Sequence, residues 1–252
     1  LPVVGLVLVF GLADAADYLE TAGMNLGGIG WRCAIALLVT MISLIGGRII
    51  PSFTRNWMAK RKMTSGLPTQ PQSLDLLVIA STAIALVFWI GFRGHHLTGL
   101  MLILAAAGQA IRLSRWGGFR TASDPLVFVL HLGYLWVPIG LLLLGLSIAG
   151  VDIPETAGVH ALTAGAMATM ILAVMTRASL GHTARKLKAS PLTVAGYALV
   201  TIGAVLRVVA SLGIGPYPLM LDIAAAFWGG GLLLFLIVYR PILWSPRLGE
   251  QL

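Results

Sequence analysis

Long, unbroken runs of apolar residues constrain the fold of this chain more than any other feature. An α-helix needs ~20 predominantly apolar residues to cross the hydrocarbon core of a bilayer, and runs of this kind follow one another along the sequence. A transmembrane β-barrel would instead show short segments of alternating polarity. The composition agrees, because hydrophobic residues make up 58% and charged residues 10% of the chain. The sequence therefore predicts an all-α, polytopic transmembrane helix bundle embedded in a lipid bilayer.

Eight such runs lie between clusters of charged residues, glycine or proline. They cover residues 1–19, 29–50, 73–92, 95–115, 125–149, 155–177, 191–211 and 218–240. Most connections are short, so residues 1–252 are expected to form a single transmembrane domain with about eight spanning helices. The chain begins inside an apolar run without an initiator methionine, which indicates a fragment that lacks N-terminal helices.

Basic residues predict the orientation of the bundle, because cytoplasmic loops carry the excess of lysine and arginine. They fall in alternate connections, around residues 48–62, 112–120, 177–188 and 240–247. The longest connection, residues 51–72, contains Lys60-Arg61-Lys62 and Pro68-Thr69-Gln70-Pro71 and is predicted to be an exposed cytoplasmic loop. We therefore expect both chain ends in the cytoplasm, and we attribute the net charge of +8 to topology rather than to nucleic-acid binding.

The five histidines are the best functional candidates, because a buried imidazole in a membrane needs a partner, a ligand or a proton to carry. His131 lies seven residues into its predicted span, ~10 Å from the cytoplasmic face. His160 lies near the outer face, on the order of 10 Å from His131 along the membrane normal, which is too far for both to hold one haem iron. We therefore predict two layers, an outer one with His95, His96 and His160 and an inner one with His131 and His182.

Each layer also has a purely structural interpretation. Imidazole with the thioethers of Met167, Met170 and Met175 would suit copper or haem, but methionines at helical spacing are commonly packing residues. The His95–His96 doublet is equally consistent with interfacial residues that face water. His182 follows Leu180-Gly181 in a basic segment, which is typical of a structural or capping position.

Arginines near the helix ends have two interpretations as well. Arg112, Arg115 and Arg177 could bind haem propionates, although arginines at helix ends commonly extend to the membrane surface. Two other arginines lie inside predicted spans and are expected to pair with carboxylates or to line an ion path. The predicted pairs are Arg32 with Asp14 and Asp17, and Arg207 with Asp222.

Several absent motifs narrow the chemistry. The single cysteine, Cys33, excludes an internal disulfide and a thiolate-bound iron–sulfur cluster. The sequence contains no phosphate-binding glycine loop, serine-hydrolase elbow, HExxH or CxxCH motif. Nucleotide-driven transport, hydrolysis and covalent c-type haem are therefore unsupported.

Four sequence blocks together resemble the NnrS family in order and spacing. They are Gly46-Gly47-Arg48-Ile49-Ile50-Pro51-Ser52-Phe53-Thr54-Arg55-Asn56, Asp124-Pro125 with Leu130-His131-Leu132-Gly133-Tyr134-Leu135-Trp136-Val137-Pro138, His160-Ala161-Leu162-Thr163-Ala164-Gly165-Ala166, and Met175-Thr176-Arg177-Ala178-Ser179-Leu180-Gly181-His182-Thr183. Family members have further helices upstream, so the chain resembles their C-terminal two thirds. The resemblance implies a bacterial inner-membrane protein with copper and non-covalent b-type haem, associated with denitrification and with tolerance of nitric oxide and nitrosative stress.

The resemblance also implies roles for particular residues. His131, His160 and His182 become candidate haem or copper ligands, Arg48 and Arg177 become candidate partners of the haem, and His95 and His96 remain further metal candidates. Nitric oxide or another small nitrogen oxide is the expected small-molecule partner, while catalysis and an electron donor stay open. The alternative is a transporter or signalling scaffold in which the intramembrane histidines relay protons or pack.

Overall fold

A computed structural model describes residues 2–68 and 72–249, and every regular element in these residues is helical. Two π-helical segments, π1 and π2, interrupt longer helices, and a short 3-10 turn precedes α6. In chain order the elements are α1 (Pro2–Thr21), α2 (Ile29–Met41), π1 (Ile42–Gly46), α3 (Gly47–Lys60), α4 (Ser73–Gly91), α5 (His96–Ser114), the 3-10 turn (Gly118–Thr121), α6 (Pro125–Ile148), α7 (Glu155–His160), π2 (Ala161–Met167), α8 (Ala168–His182), α9 (Pro191–Ser211) and α10 (Tyr217–Leu243).

Seven helical stretches of the described residues are long and apolar enough to cross a membrane. They are Ile29–Lys60, Ser73–Gly91, His96–Ser114, Pro125–Ile148, Glu155–His182, Pro191–Ser211 and Tyr217–Leu243. The predicted polytopic helix bundle is therefore confirmed. The first predicted span is also a helix, α1, but it is not among these seven.

The predicted boundary at Pro51 is wrong, because helix α3 continues through this proline to Lys60. Residues 42–46, directly before α3, are π-helical. The pattern of backbone hydrogen bonds has therefore already changed near Pro51, which lacks an N–H donor. The continuous stretch Ile29–Lys60 contains 32 residues, and at 1.5 Å per residue its ~48 Å exceed the ~30 Å hydrocarbon core. The connection begins after Lys60, and residues 69–71 of the predicted loop lie outside the described residues.

Helix α6 forms the centre of the bundle and is the most buried of the seven stretches. Its start is set by Asp124, whose carboxylate accepts a hydrogen bond from the Leu126 backbone N–H at 3.1 Å, followed by proline at the first helical position. One apolar core surrounds its second half, with Leu141 and Leu144. A second core surrounds its first half, with Leu130 and Tyr134. Side chains of α6 are thus enclosed along the whole length of the helix.

The lysines and arginines that the sequence groups together lie at one end of the bundle, called the basic end below. Lys60 at the end of α3, Arg177 on α8 and Lys188 after α8 line one pocket there. Arg115, directly after α5, lies 3.6 Å from the carboxylate of Asp75 at the start of α4. The charge pattern predicts that successive spans run in opposite directions, and the gathering of basic residues at one end agrees with this prediction.

Glycines 229–231 of α10 follow one another in the sequence but differ in their contacts. A Cβ atom at Gly231 would lie 2.6 Å from Val200 Cγ2 and 2.8 Å from the Gly196 carbonyl oxygen on α9, whereas a Cβ at Gly229 would meet no atom of the described residues within 4 Å. We expect Gly231→Ala to lower the free energy of unfolding by about 1–3 kcal/mol. Gly229→Ala is the matched control and should be neutral or slightly stabilising. Denaturation in detergent, monitored by the circular dichroism of the helices, measures the free energy of unfolding of both variants. Equal losses of stability in the two variants would contradict the prediction.

Candidate functional site: two buried histidines and a polar network

His131 is buried in the second turn of α6, with 5% of its surface exposed. Its Nε2 atom shares a hydrogen bond of 2.9 Å with the hydroxyl of Thr54 on α3, which is itself fully buried. Its Nδ1 atom is buried and has no hydrogen-bond partner among the described residues. The backbone of Gly118 lies against the ring, because a Cβ there would come within 2.8 Å of Nδ1. One ring nitrogen is thus satisfied, and the other is left available for a proton or a ligand.

His160 ends α7 and is half-buried. Nη2 of Arg207 on α9 hydrogen-bonds to its Nε2, with the two nitrogen atoms 2.5 Å apart. Because a guanidinium only donates, Nε2 is the acceptor and the proton of the neutral ring belongs on Nδ1. Arg207 also donates to the Ser211 hydroxyl at 2.9 Å. This pair lines a small, mostly apolar cavity of about 260 Å³ that Trp228 of α10 also borders.

The predicted pairing of Arg207 with Asp222 is wrong. No ion pair joins them in the part of the chain that the structure describes, and Asp222 is exposed at the start of α10. Helix π2 begins directly after His160 and changes the local hydrogen bonding, so that the Ala164 carbonyl accepts a bond of 3.3 Å from the Trp228 indole. Arg207 points toward α7 instead of toward Asp222, and His160 at the end of α7 accepts its N–H.

The remaining three histidines are exposed. His95 precedes α5, His96 begins it, and His182 ends α8. Within residues 2–68 and 72–249, no three histidine, cysteine, aspartate or glutamate side chains are grouped so that they could hold a metal ion. The predicted outer set of His95, His96 and His160 does not form such a group. His131 and His160 hydrogen-bond to different helices, α3 and α9.

A buried polar network near the basic end is the main feature that the sequence did not reveal. The Arg112 guanidinium, 1% exposed, forms an ion pair of 2.9 Å between its Nε and the Asp75 carboxylate. Its Nη1 atom donates to the Tyr134 hydroxyl at 2.9 Å and to the Ser43 hydroxyl at 3.1 Å. The interpretation of Arg112 as a surface-directed or propionate-binding residue is therefore wrong, because its guanidinium is already paired inside the bundle.

Gln109, one turn before Arg112 on α5, completes this network. Its amide nitrogen donates to the hydroxyls of Ser43 at 2.7 Å and Thr82 at 2.8 Å, while its amide oxygen accepts from Tyr134 at 2.6 Å. The Asp75–Arg112 network, defined as Ser43, Asp75, Thr82, Gln109, Arg112 and Tyr134, joins π1 to α4, α5 and α6. The spacing of Gln109 and Arg112 by three residues on one helical face is the signal that could have indicated it.

Arg32 also differs from its predicted role. It is buried at 3% exposure, and its Nη2 donates to the backbone carbonyls of Gly27 at 2.7 Å and Ile90 at 3.5 Å. Its Nε and Nη1 atoms have no hydrogen-bond partner among the described residues. Neither Asp14 nor Asp17 forms an ion pair with it in those residues, so the predicted pairing with α1 is wrong.

The two arginines that the resemblance implies as haem partners lie in different surroundings. Arg48 is exposed on α3. Arg177 is half-buried on α8, and its guanidinium carbon lies 4.1 Å from the centre of the Phe53 ring. It lines a pocket of about 550 Å³ at the basic end. Of the two, Arg177 alone lines this pocket.

Four methionines line one apolar cleft of about 300 Å³ between α2–π1–α3 and π2–α8. They are Met41, Met167, Met170 and Met175. The sequence predicts Met167, Met170 and Met175 as one set because they are close in the chain. That set does not include Met41, which lies on the distant helix α2. Thioether sulfur is a soft donor that suits Cu(I), and methionine is equally common as an adaptable packing residue.

These features define an integral membrane protein built as a helical bundle, with titratable side chains enclosed between its spanning helices. A comparison with protein families gives the more specific assignment: the family model described as "NnrS protein" matches residues 1–247. The chain belongs to the NnrS family, as its sequence blocks predict. No curated protein and no solved structure matches it.

Proposed function

We propose that the protein is a copper-binding inner-membrane protein of the bacterial response to nitric oxide. One structural observation supports metal binding above the others, namely the buried Nδ1 of His131 that has no partner among the described residues. Membership of the NnrS family supports the link to nitric oxide or another small nitrogen oxide. The excess of basic residues at one end supports a cytoplasmic location of that end and of the C-terminus.

The donor atoms of His131 and His160 fit copper better than haem. Neither presents a free Nε2, since Thr54 and Arg207 occupy these atoms. The cavity beside His160, at about 260 Å³, is smaller than the ~300–1,000 Å³ typical of cofactor and ligand sites. His160 in this geometry therefore does not fit the haem that the family resemblance implies. Imidazole binds copper through either ring nitrogen, so Nδ1 of His131 is one ligand atom that we assign, in a site whose other donors are not a cluster of histidine, cysteine or carboxylate side chains of the described residues.

Three groups around His131 would act on a copper ion held there. Thr54 orients the ring through Nε2, which is the usual function of a hydrogen bond behind a metal-bound imidazole. Glycine at position 118 preserves the position of the ring, because a Cβ there would lie 2.8 Å from Nδ1. The apolar neighbours Leu130 and Trp116 exclude water from this part of α6. Copper itself supplies a one-electron redox centre when bound.

Metal analysis of the purified chain tests the proposal. We expect copper at a stoichiometric level, with an electron paramagnetic resonance signal after oxidation, and we expect His131→Ala to lose most of both. His182→Ala is the comparison variant, because the family resemblance implies His182 as a ligand too, whereas its exposed position at the end of α8 predicts that this variant keeps its copper. Copper retained in full by His131→Ala, or no copper in the unaltered protein, would overturn the assignment. An absorption spectrum of the same samples tests haem, which would give a Soret band.

A second candidate function, a proton-relaying transporter or scaffold, is favoured by one observation. Tyr134 of the Asp75–Arg112 network lies three residues after His131 on α6, so the two side chains share a helical face. Proton flux in proteoliposomes that lack bound metal, abolished by His131→Ala, would favour this function. Copper-dependent signals without such flux would favour the first.

A further inference from the structure

A pocket at the basic end has an imbalance of charge that no described residue corrects. It lies between the end of α3, the start of α6 and the connection after α8, and its volume is about 550 Å³. Four cationic side chains line it, Lys60, Arg61, Arg177 and Lys188, together with a single carboxylate, that of Asp124. In residues 2–68 and 72–249 none of the four cations forms an ion pair. Like charges gathered in one concavity repel each other unless an anion joins them.

The one carboxylate in this pocket already has a structural task. Asp124 Oδ1 accepts the Leu126 backbone N–H at the start of α6. The carboxylate stabilises the N-terminus of that helix by this bond. It does not lie within 4 Å of any of the four cations. Its single negative charge offsets at most one of the four cations, so the remaining positive charge of the pocket is left for a ligand.

Two of the cations are held in place by aromatic rings. The guanidinium carbon of Arg61 lies 3.9 Å from the centre of the Trp57 ring, and that of Arg177 lies 4.1 Å from the centre of the Phe53 ring. Stacking of this kind limits the freedom of the guanidinium and leaves its N–H edges available. Trp57 is 8% exposed, and its indole N–H is buried without a partner among the described residues. Donors thus outnumber acceptors around this pocket.

We propose that this pocket binds a phosphate group at the basic face of the membrane. Phosphate matches the site because it offers several acceptor oxygens and more than one negative charge to arginine and lysine donors. The neutral side chains of Asn56 and Ser123 also line the pocket and can donate to it. The phosphate group belongs either to an anionic phospholipid or to a soluble phosphate, since basic pockets between helices on this side of a membrane suit lipid headgroups. The site is separate from the copper ligand His131 and does not depend on it.

Thermal unfolding of the purified full chain tests the site with two probes. One series adds inorganic phosphate in detergent, and the other compares nanodiscs of phosphatidylcholine with nanodiscs containing phosphatidylglycerol. We expect a saturable rise of Tm with at least one probe, and a binding curve shifted at least about tenfold to higher concentration in Lys188→Gln. Lys188 is exposed, so we expect this variant to fold, and Lys60→Gln is a second variant of the same kind.

Lys186→Gln is the matched control, because Lys186 is in the same connection but does not line the pocket. A response to phosphatidylglycerol alone assigns the site to a lipid headgroup, and a response to inorganic phosphate assigns it to a soluble ligand. The proposal is overturned if neither probe raises Tm. It is also overturned if Lys186→Gln weakens the response as much as Lys188→Gln does. Copper content measured in the same samples should stay unchanged, which separates this site from the proposed metal site.

Discussion

Replacing Arg112 by leucine is expected to lower the free energy of unfolding by about 3 kcal/mol, because the buried Asp75 carboxylate would lose its closest ion-pair partner and keep only Arg115, at 3.6 Å. Asp75 is 5% exposed, so water cannot replace the lost guanidinium. The hydroxyls of Ser43 and Tyr134 would lose a charged donor at the same time. A loss of this size is a large part of the stability of a typical domain.

Reversible unfolding in mixed detergent micelles measures this effect. Asp222→Asn is the control for removing a charge, because Asp222 is exposed. The double variant Asp75→Leu with Arg112→Leu removes both charges and should recover part of the loss, since an apolar pair often replaces a buried ion pair at little cost. Arg112→Leu with unaltered stability would show that the network contributes nothing to the fold.

Replacing Gly145 by leucine is expected to cost about 3 kcal/mol or more, because the new side chain would meet the backbone of α5 instead of a flexible side chain. A Cβ at Gly145 would lie 2.8 Å from the Gly99 carbonyl oxygen, and a Cβ at Gly99 would lie 2.8 Å from the Gly145 carbonyl oxygen. The two glycines thus allow α5 and α6 to approach closely, as small residues do between membrane helices.

The same unfolding assay measures the Gly145 variant. Gly91→Leu serves as control, because a Cβ at Gly91 would meet nothing within 4 Å in the part of the chain that the structure describes. Separation of α5 from α6 would also move Gln109 and Tyr134 apart, so we expect partial loss of the network's stabilisation in the variant. An equal, small change in both variants would contradict close packing at this crossing.

Local sequence predicted the helices well and the polar contacts poorly. Each span is an apolar run that must satisfy its own backbone hydrogen bonds in lipid, so the helix positions follow from where the apolar runs lie in the sequence. Pro51 misled because a proline usually ends a helix, whereas π1 before it allows α3 to continue. The partner of a buried side chain depends instead on how helices rotate and cross. Proximity along the chain therefore predicted Asp222 as the partner of Arg207. In the structure Arg207 instead donates to His160 at the end of α7.

Histidine positions were predictable as candidates, but their surroundings were not. Scarcity of imidazole in apolar runs singled out His131 and His160 from the sequence. Whether a ring nitrogen is free depends on residues far away in the chain, such as Thr54 for His131. Met41 lines the methionine cleft for the same reason, because α2 packs beside π2, which is far from it in the sequence.

The sequence by itself determined that this protein is a helical membrane bundle of the NnrS family, because apolar length and ordered motifs are local properties of a chain. Only the tertiary structure decided which charges meet inside the bundle. It paired Arg112 with Asp75, left Nδ1 of His131 without a partner among the described residues, and gathered four cations in one pocket. The physical reason is that a charge buried in a membrane is stabilised by groups within a few ångströms, and helix packing alone determines which groups those are.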